Sequence, residues 1–97
     1  MDCMLTYWIK DAEEGPKALR LTVMSGDEAG WSGLSTLRRM RLLRIVAEAR
    51  VQGHRLTYSD LSVIMLSSRA TLKRDVTYLR SLGHEVPVGR EIRVASG

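Results

Sequence analysis

Along this chain the apolar residues first alternate with polar ones and later recur at three- and four-residue intervals. Met4-Leu5-Thr6-Tyr7-Trp8-Ile9 is rich in β-formers, and Leu19-Arg20-Leu21-Thr22-Val23-Met24 alternates apolar and polar side chains, so both segments read as strands. The polar stretch from Lys10 to Ala18 contains Gly15-Pro16, a turn signal, and joins them as a loose β-hairpin. Ser25 to Gly33 has the composition of a linker.

The helical period begins after it. Ser35 or Thr36 is expected to cap a first helix, because either side chain accepts a hydrogen bond from an unpaired N–H of the first turn. Leu37 to Val51 holds no Gly or Pro, and Gly53 stands just beyond as a stop. Leu42, Ile45, Val46 and Ala49 form its apolar face, with Arg38, Arg41, Arg44 and Arg50 largely off that face. Thr57 and Asp60 fit a weak capping box for a short second helix with Leu61, Ile64 and Met65 as its buried stripe. Ser67-Ser68 interrupts the pattern. Ser68 caps a third helix with core positions Leu72, Val76 and Leu79, Leu82 one turn further, and Gly83 as the stop. Val86-Pro87-Val88, Gly89-Arg90 and Glu91-Ile92-Arg93-Val94 read as a tight hairpin, with Pro87 suited to an edge strand because it has no N–H to donate.

The element order predicts a mainly α fold with a small β part: a winged helix-turn-helix, of three helices plus a C-terminal β-hairpin wing, preceded by an N-terminal β-hairpin. The expected division is residues 1–33 for the hairpin and linker and residues 34–97 for the winged domain. Charge follows the same division. Residues 1–33 hold three Lys/Arg against six Asp/Glu, a net −3, and residues 34–97 hold twelve against five, a net +7. A basic segment beside an acidic one points to a polyanionic partner for the basic part.

In this arrangement the third helix enters the major groove of double-stranded DNA. Arg69 and Ala70 lie in its first turn, where an arginine binds guanine O6 and N7 and an alanine meets a thymine methyl. Thr77 offers a second methyl, Lys73 and Arg74 reach base or phosphate, and Ser68 and Thr71 hold a phosphate with the helix N-terminal amides. Arg90 and Arg93 in the wing are expected to flank the backbone. The alternatives are plainer: Ser68 as a cap alone, Thr71 partly buried, and Arg74-Asp75 in an ion pair with a neighbouring helix. Arg38, Arg39, Arg41 and Arg44 would then be a solvated face and not a phosphate track. Tyr7, Trp8 and Tyr58 read as core or interface residues.

The string Ser68-Arg69-Ala70-Thr71-Leu72-Lys73-Arg74-Asp75-Val76, followed by Leu79 and Gly83, resembles the DNA-binding domain of DeoR-type transcriptional repressors. Lys73 stands where that pattern has an arginine, keeping the charge but losing the planar fork. A wider pattern, from Arg44 and Glu48-Ala49 through Gln52-Gly53, Leu56-Thr57 and Asp60-Leu61 to Val86-Pro87 and Gly89, is similar to an uncharacterised prokaryotic domain family with a predicted helix-turn-helix. The resemblance implies DNA binding and transcription regulation. It does not imply effector sensing, since DeoR-type repressors carry a large sugar-phosphate-sensing domain that this sequence lacks. The chain is therefore expected to be a small regulator or part of a longer one.

Other classes fit less well. The chain's 97 residues suit one small domain, and no apolar run approaches the roughly 18 residues of a membrane span. The N-terminus lacks a secretory signal, so a cytoplasmic location is expected. Cys3 has no intramolecular disulfide partner, and no His/Cys cluster has metal-ligand spacing. His54 and His84 are the only histidines, and Gly26 to Gly33 does not have the spacing of a phosphate-binding loop. No enzyme, cofactor, metal or small-molecule effector is expected. The rival to DNA binding is a winged helix used for protein contact. The N-terminal hairpin, too small to stay folded alone, packs on the helices or on a second copy, and a homodimer is expected.

Overall fold

The computed structural model describes residues 3–9, 17–24 and 33–89. Two strands, β1 (Cys3–Ile9) and β2 (Lys17–Met24), form an antiparallel sheet. Three helices follow: α1 (Leu34–Val51), α2 (Tyr58–Met65) and α3 (Arg69–Ser81). Tyr7 lies opposite Leu19 and Leu5 opposite Leu21, with an irregularity between Cys3 and Met4. The alternation thus sends Leu19, Leu21 and Ile9 inward. There they join Leu42, Ile45, Val46 and Ala49 of α1, Leu61 of α2 and Leu72, Val76 and Leu79 of α3 in one buried cluster. The α1 and α3 stripes read from the sequence are these same residues. Leu82 lies outside the cluster, 58% exposed.

Sheet and helix are also held by polar groups. Arg20 and Thr22 turn their main-chain groups away from β1, and one row of α1 side chains meets them. Gln52 Oε1 accepts from the Arg20 N–H at 2.8 Å, and Gln52 Nε2 donates to the Arg20 carbonyl at 2.7 Å. Glu48 accepts from the Thr22 N–H at 2.6 Å and from its hydroxyl at 2.7 Å, while Arg44 Nε donates to the Thr22 carbonyl at 2.9 Å. Edge groups that would otherwise pair with another strand are thereby satisfied. On β1, the Tyr7 hydroxyl donates to Asp60 Oδ1 at 2.6 Å and ties the hairpin to the start of α2. Burial and this bond together push the Tyr7 phenol up to about 12.

The helix ends follow their capping chemistry, with one difference. Thr57 and Asp60 make a complete capping box, and Ser68 Oγ accepts from the Thr71 N–H at 3.2 Å. Gly53 and Gly83 take φ of 82° and 92°, the left-handed region that closes a helix at little cost to glycine. Neither Ser35 nor Thr36 caps α1. The Leu37 N–H bonds the Gly33 carbonyl at 3.1 Å, so the helix starts earlier, at Leu34, with no side-chain cap.

Among the described residues the expected C-terminal wing is not present, and with it the winged helix-turn-helix assignment falls. The sheet of this fold is the N-terminal hairpin. Residues 84–88 form no strand. Their polar groups are engaged elsewhere: Arg80 Nη2 donates to the Val86 carbonyl at 2.7 Å, and the Gly89 N–H donates to the Leu56 carbonyl at 2.8 Å. Val86 is buried in the core, and Gly89 makes a single parallel bridge with Thr57. This segment is laid along the approach to α2, bridged to Thr57 at Gly89. The second arm, Glu91 to Val94, lies outside the described residues.

Candidate nucleic-acid interface

Helix α3 is amphipathic in an unusual way, since its inner stripe includes a carboxylate. Leu72, Asp75, Val76 and Leu79 are buried. Arg69, Ala70, Lys73, Arg74 and Thr77 are all exposed, and Thr71 is half-buried at the border. The 3.6-residue period places Arg69, Lys73 and Thr77 in one row and Ala70 and Arg74 in the next. The solvent face thus carries Arg69, Lys73 and Arg74, with the exposed Arg80 in the last turn, and no carboxylate.

What fixes this face outward is the clamp beneath it. Asp75, 1% exposed, accepts from Arg38 Nε, from Arg38 Nη2 at 2.9 Å and from Arg39 Nε at 3.2 Å. Burial pushes the Asp75 carboxyl up, but the bonds and charges of the two arginines outweigh it and hold it below its usual range. The same bonding raises Arg38 against the cost of its own burial. Arg39 also stacks over the Tyr78 ring at 3.9 Å. Two arginines of α1 therefore grip α3 by its buried side, and rotation of α3 about its axis would break three charge-assisted bonds.

The junction between α2 and α3 is equally defined. Leu66 closes α2 in the left-handed conformation at φ 53°. The Ser62 hydroxyl donates to the Ser67 carbonyl at 2.7 Å, and Ser68 opens α3 two residues after Leu66. Three residues, Leu66, Ser67 and Ser68, thus separate the two helices. Across this junction, Lys73 Nζ lies 5.6 Å from the Tyr58 ring.

Of the residues singled out from the sequence, Ser68, Arg69, Ala70, Thr71, Lys73, Arg74 and Thr77 therefore share one side of one helix. Ser68 is the cap, and its hydroxyl also donates to Thr71 Oγ1 at 2.9 Å. The Thr77 hydroxyl donates to the Lys73 carbonyl at 2.9 Å. Arg90 and Arg93 lie outside the described residues. The ion pair expected near Arg74 is made by Asp75 alone, and Arg74 points to solvent. Arg38, Arg39 and Arg44 are neither a plain solvated face nor a phosphate track: the first two hold Asp75 and the third holds the Thr22 carbonyl.

A second surface was not legible in the sequence. An apolar groove of about 560 Å³ runs between the hairpin, the first half of α1 and the end of α2, lined by Met4, Leu5, Met24, Leu34, Ile64 and Leu66 among others. Its walls come from three separate segments, so no local pattern announces it. Among the described residues no group of three acidic, His or Cys side chains could hold a metal ion, and no helix is long and apolar enough to cross a membrane.

A protein-family model described as a protein of unknown function (DUF1670) matches residues 18–92. The matched span takes in β2 and all three helices, so it covers both the row of α1 side chains on β2 and the α3 clamp. No curated protein and no solved structure matches the chain.

Proposed function

The chain belongs to the DUF1670 family, and on that premise we propose that it binds double-stranded DNA through α3 and acts as a sequence-specific transcription regulator. The observation that carries this reading is the solvent face of α3, where Arg69, Lys73 and Arg74 stand exposed on a helix locked from behind by Asp75. A helix held in one rotation presents the same side chains to the groove at every encounter, which base readout needs. The likeness of the string from Ser68 to Gly83 to DeoR-type repressors supports the same use. It rests on those residues alone and brings no wing with it. In this mechanism the basic face finds DNA electrostatically, Arg69 and Ala70 meet base edges, and Lys73, Arg74 and the Ser68 end of the helix meet phosphates.

Fluorescence anisotropy on labelled duplex tests it. Affinity falls steeply as salt rises, and the triple change of Arg69, Lys73 and Arg74 to alanine flattens the log–log slope by about 0.9 for each phosphate that is no longer neutralised. On a site selected from a random duplex library, Arg69→Ala costs about 1–3 kcal/mol and relaxes base preference at one position. A wild-type affinity indifferent to salt, or a triple variant that binds like the wild type, refutes the proposal.

A second reading is a helical module for protein contact, and the apolar groove favours it. It is distinguished by the same titration, because binding to an apolar groove does not release counterions.

A further inference from the structure

The two outer edges of the hairpin are treated differently. On β2, the outward main-chain groups of Arg20 and Thr22 are closed by Gln52, Glu48 and Arg44. On β1, the register with β2 makes Met4, Thr6 and Trp8 the outward residues, since they lie opposite Thr22, Arg20 and Ala18. Among the described residues nothing pairs with that edge, and the sheet has two strands only. Proteins usually blunt such an edge with a charge, a proline or a cover. The sequence of β1, Cys3 to Ile9, contains neither charge nor proline.

From this edge we infer that the chain forms a two-fold symmetric homodimer by pairing β1 with β1 of a second copy, giving a four-stranded antiparallel sheet. The edge is self-complementary about Thr6. Antiparallel pairing centred there sets Thr6 against Thr6 of the partner subunit and Met4 against Trp8 of the partner subunit, on both sides of the axis. Each of these pairs exchanges both of its N–H···O bonds, because these are the residues whose groups point outward. Met4 and Trp8 are 60% and 58% exposed in the single chain, and thioether on indole is a favourable contact. Charge does not oppose the pairing. Arg20, next to Thr6 on β2, stays three strand spacings from its symmetry mate, about 14 Å, beyond the screening length at physiological salt. A second copy is favoured over an unrelated strand because one register satisfies every outward group and both exposed apolar side chains at once. This inference does not depend on DNA binding.

Sedimentation equilibrium on the whole chain, with Thr6 variants, tests it. The wild type is a dimer at tens of micromolar. Thr6→Lys and Thr6→Glu each place like charges directly opposite across the axis and weaken self-association about tenfold or more. Mixing T6K with T6E restores the dimer, because only a two-fold axis at residue 6 brings that position against itself. Trp8→Ser leaves Thr6 intact, removes both Met4–Trp8 contacts and weakens the dimer without adding charge. Far-UV circular dichroism checks that each variant is folded. A monomeric wild type at 100 μM or so, T6K as dimeric as the wild type, or a T6K/T6E mixture that stays monomeric overturns the inference.

Discussion

Replacing Asp75 with asparagine removes the negative charge on which α1 and α3 converge while keeping the side chain's shape. The carboxylate accepts three bonds from Arg38 and Arg39, and asparagine would turn an NH₂ group toward at least one guanidinium, donor against donor. Breaking a buried pair by deleting one partner typically costs about 3–5 kcal/mol. Here the arginine side chains keep 28% and 27% of their surface in water, so they rehydrate in part. We therefore expect a loss of about 2–3 kcal/mol at pH 7, a large fraction of the stability of a small domain. Urea denaturation of the two proteins side by side, with unchanged m-values, measures it. The pH dependence is a second signature. The folded carboxyl lies below its usual value, so its contribution is fully present above the unfolded pKa near 3.9 and is lost as the pH falls through the folded value. The gap between wild type and D75N should narrow below about pH 4. A gap under about 0.5 kcal/mol at pH 7, or one that widens in acid, would refute the clamp as described.

Two further changes probe the other contacts. Tyr7→Phe removes the bond to Asp60 and should cost about 1 kcal/mol at neutral pH. Because the folded phenol is raised to about 12 from an ordinary 10, its stabilising effect is complete below pH 10 and is lost as the pH climbs toward 12, so thermal melts of the two proteins should converge in that window. Leu66→Gly relieves a left-handed leucine that is 91% exposed, and a gain of about 0.5–1 kcal/mol is expected, with a lowered melting temperature as the contrary result.

Local signals in the sequence carried much of the fold. The apolar stripes of α1 and α3, the Thr57 and Ser68 caps, the glycine stops and the two N-terminal strands all depend on neighbours within about one turn or one strand, where periodicity and capping speak directly. The exposed side of α3 was legible for the same reason. The partners of Arg38, Arg39 and Arg44 were not, because an arginine at helical spacing looks alike whether water or a carboxylate 37 positions away receives it. The wing failed on competition. Val86-Pro87-Val88 has the composition of an edge strand, yet the Val86 carbonyl goes to Arg80 and the Gly89 N–H just beyond it goes to Leu56. Start signals misled at Ser35 and Thr36, where Gly33 opens the helix without a side chain's help.

The row of Arg44, Glu48 and Gln52 along β2 depends on a near-coincidence of two periods. Four residues of α-helix advance about 6.0 Å, and two residues of strand advance about 6.7 Å. Glu48 and Gln52, four residues apart, therefore meet Thr22 and Arg20, two residues apart, with a slip of about 0.7 Å, while Arg44 one turn earlier takes the carbonyl side of the same Thr22. Two lattices so nearly commensurate stay in phase for a few rungs and no further, which bounds how long a strand a helix can shield in this way. The coincidence also acts as a gauge. A slip of β2 by one residue would turn its donors and acceptors toward β1 and present α1 with the wrong set, so positions 44, 48 and 52 measure the hairpin's register against the helix as the chain folds.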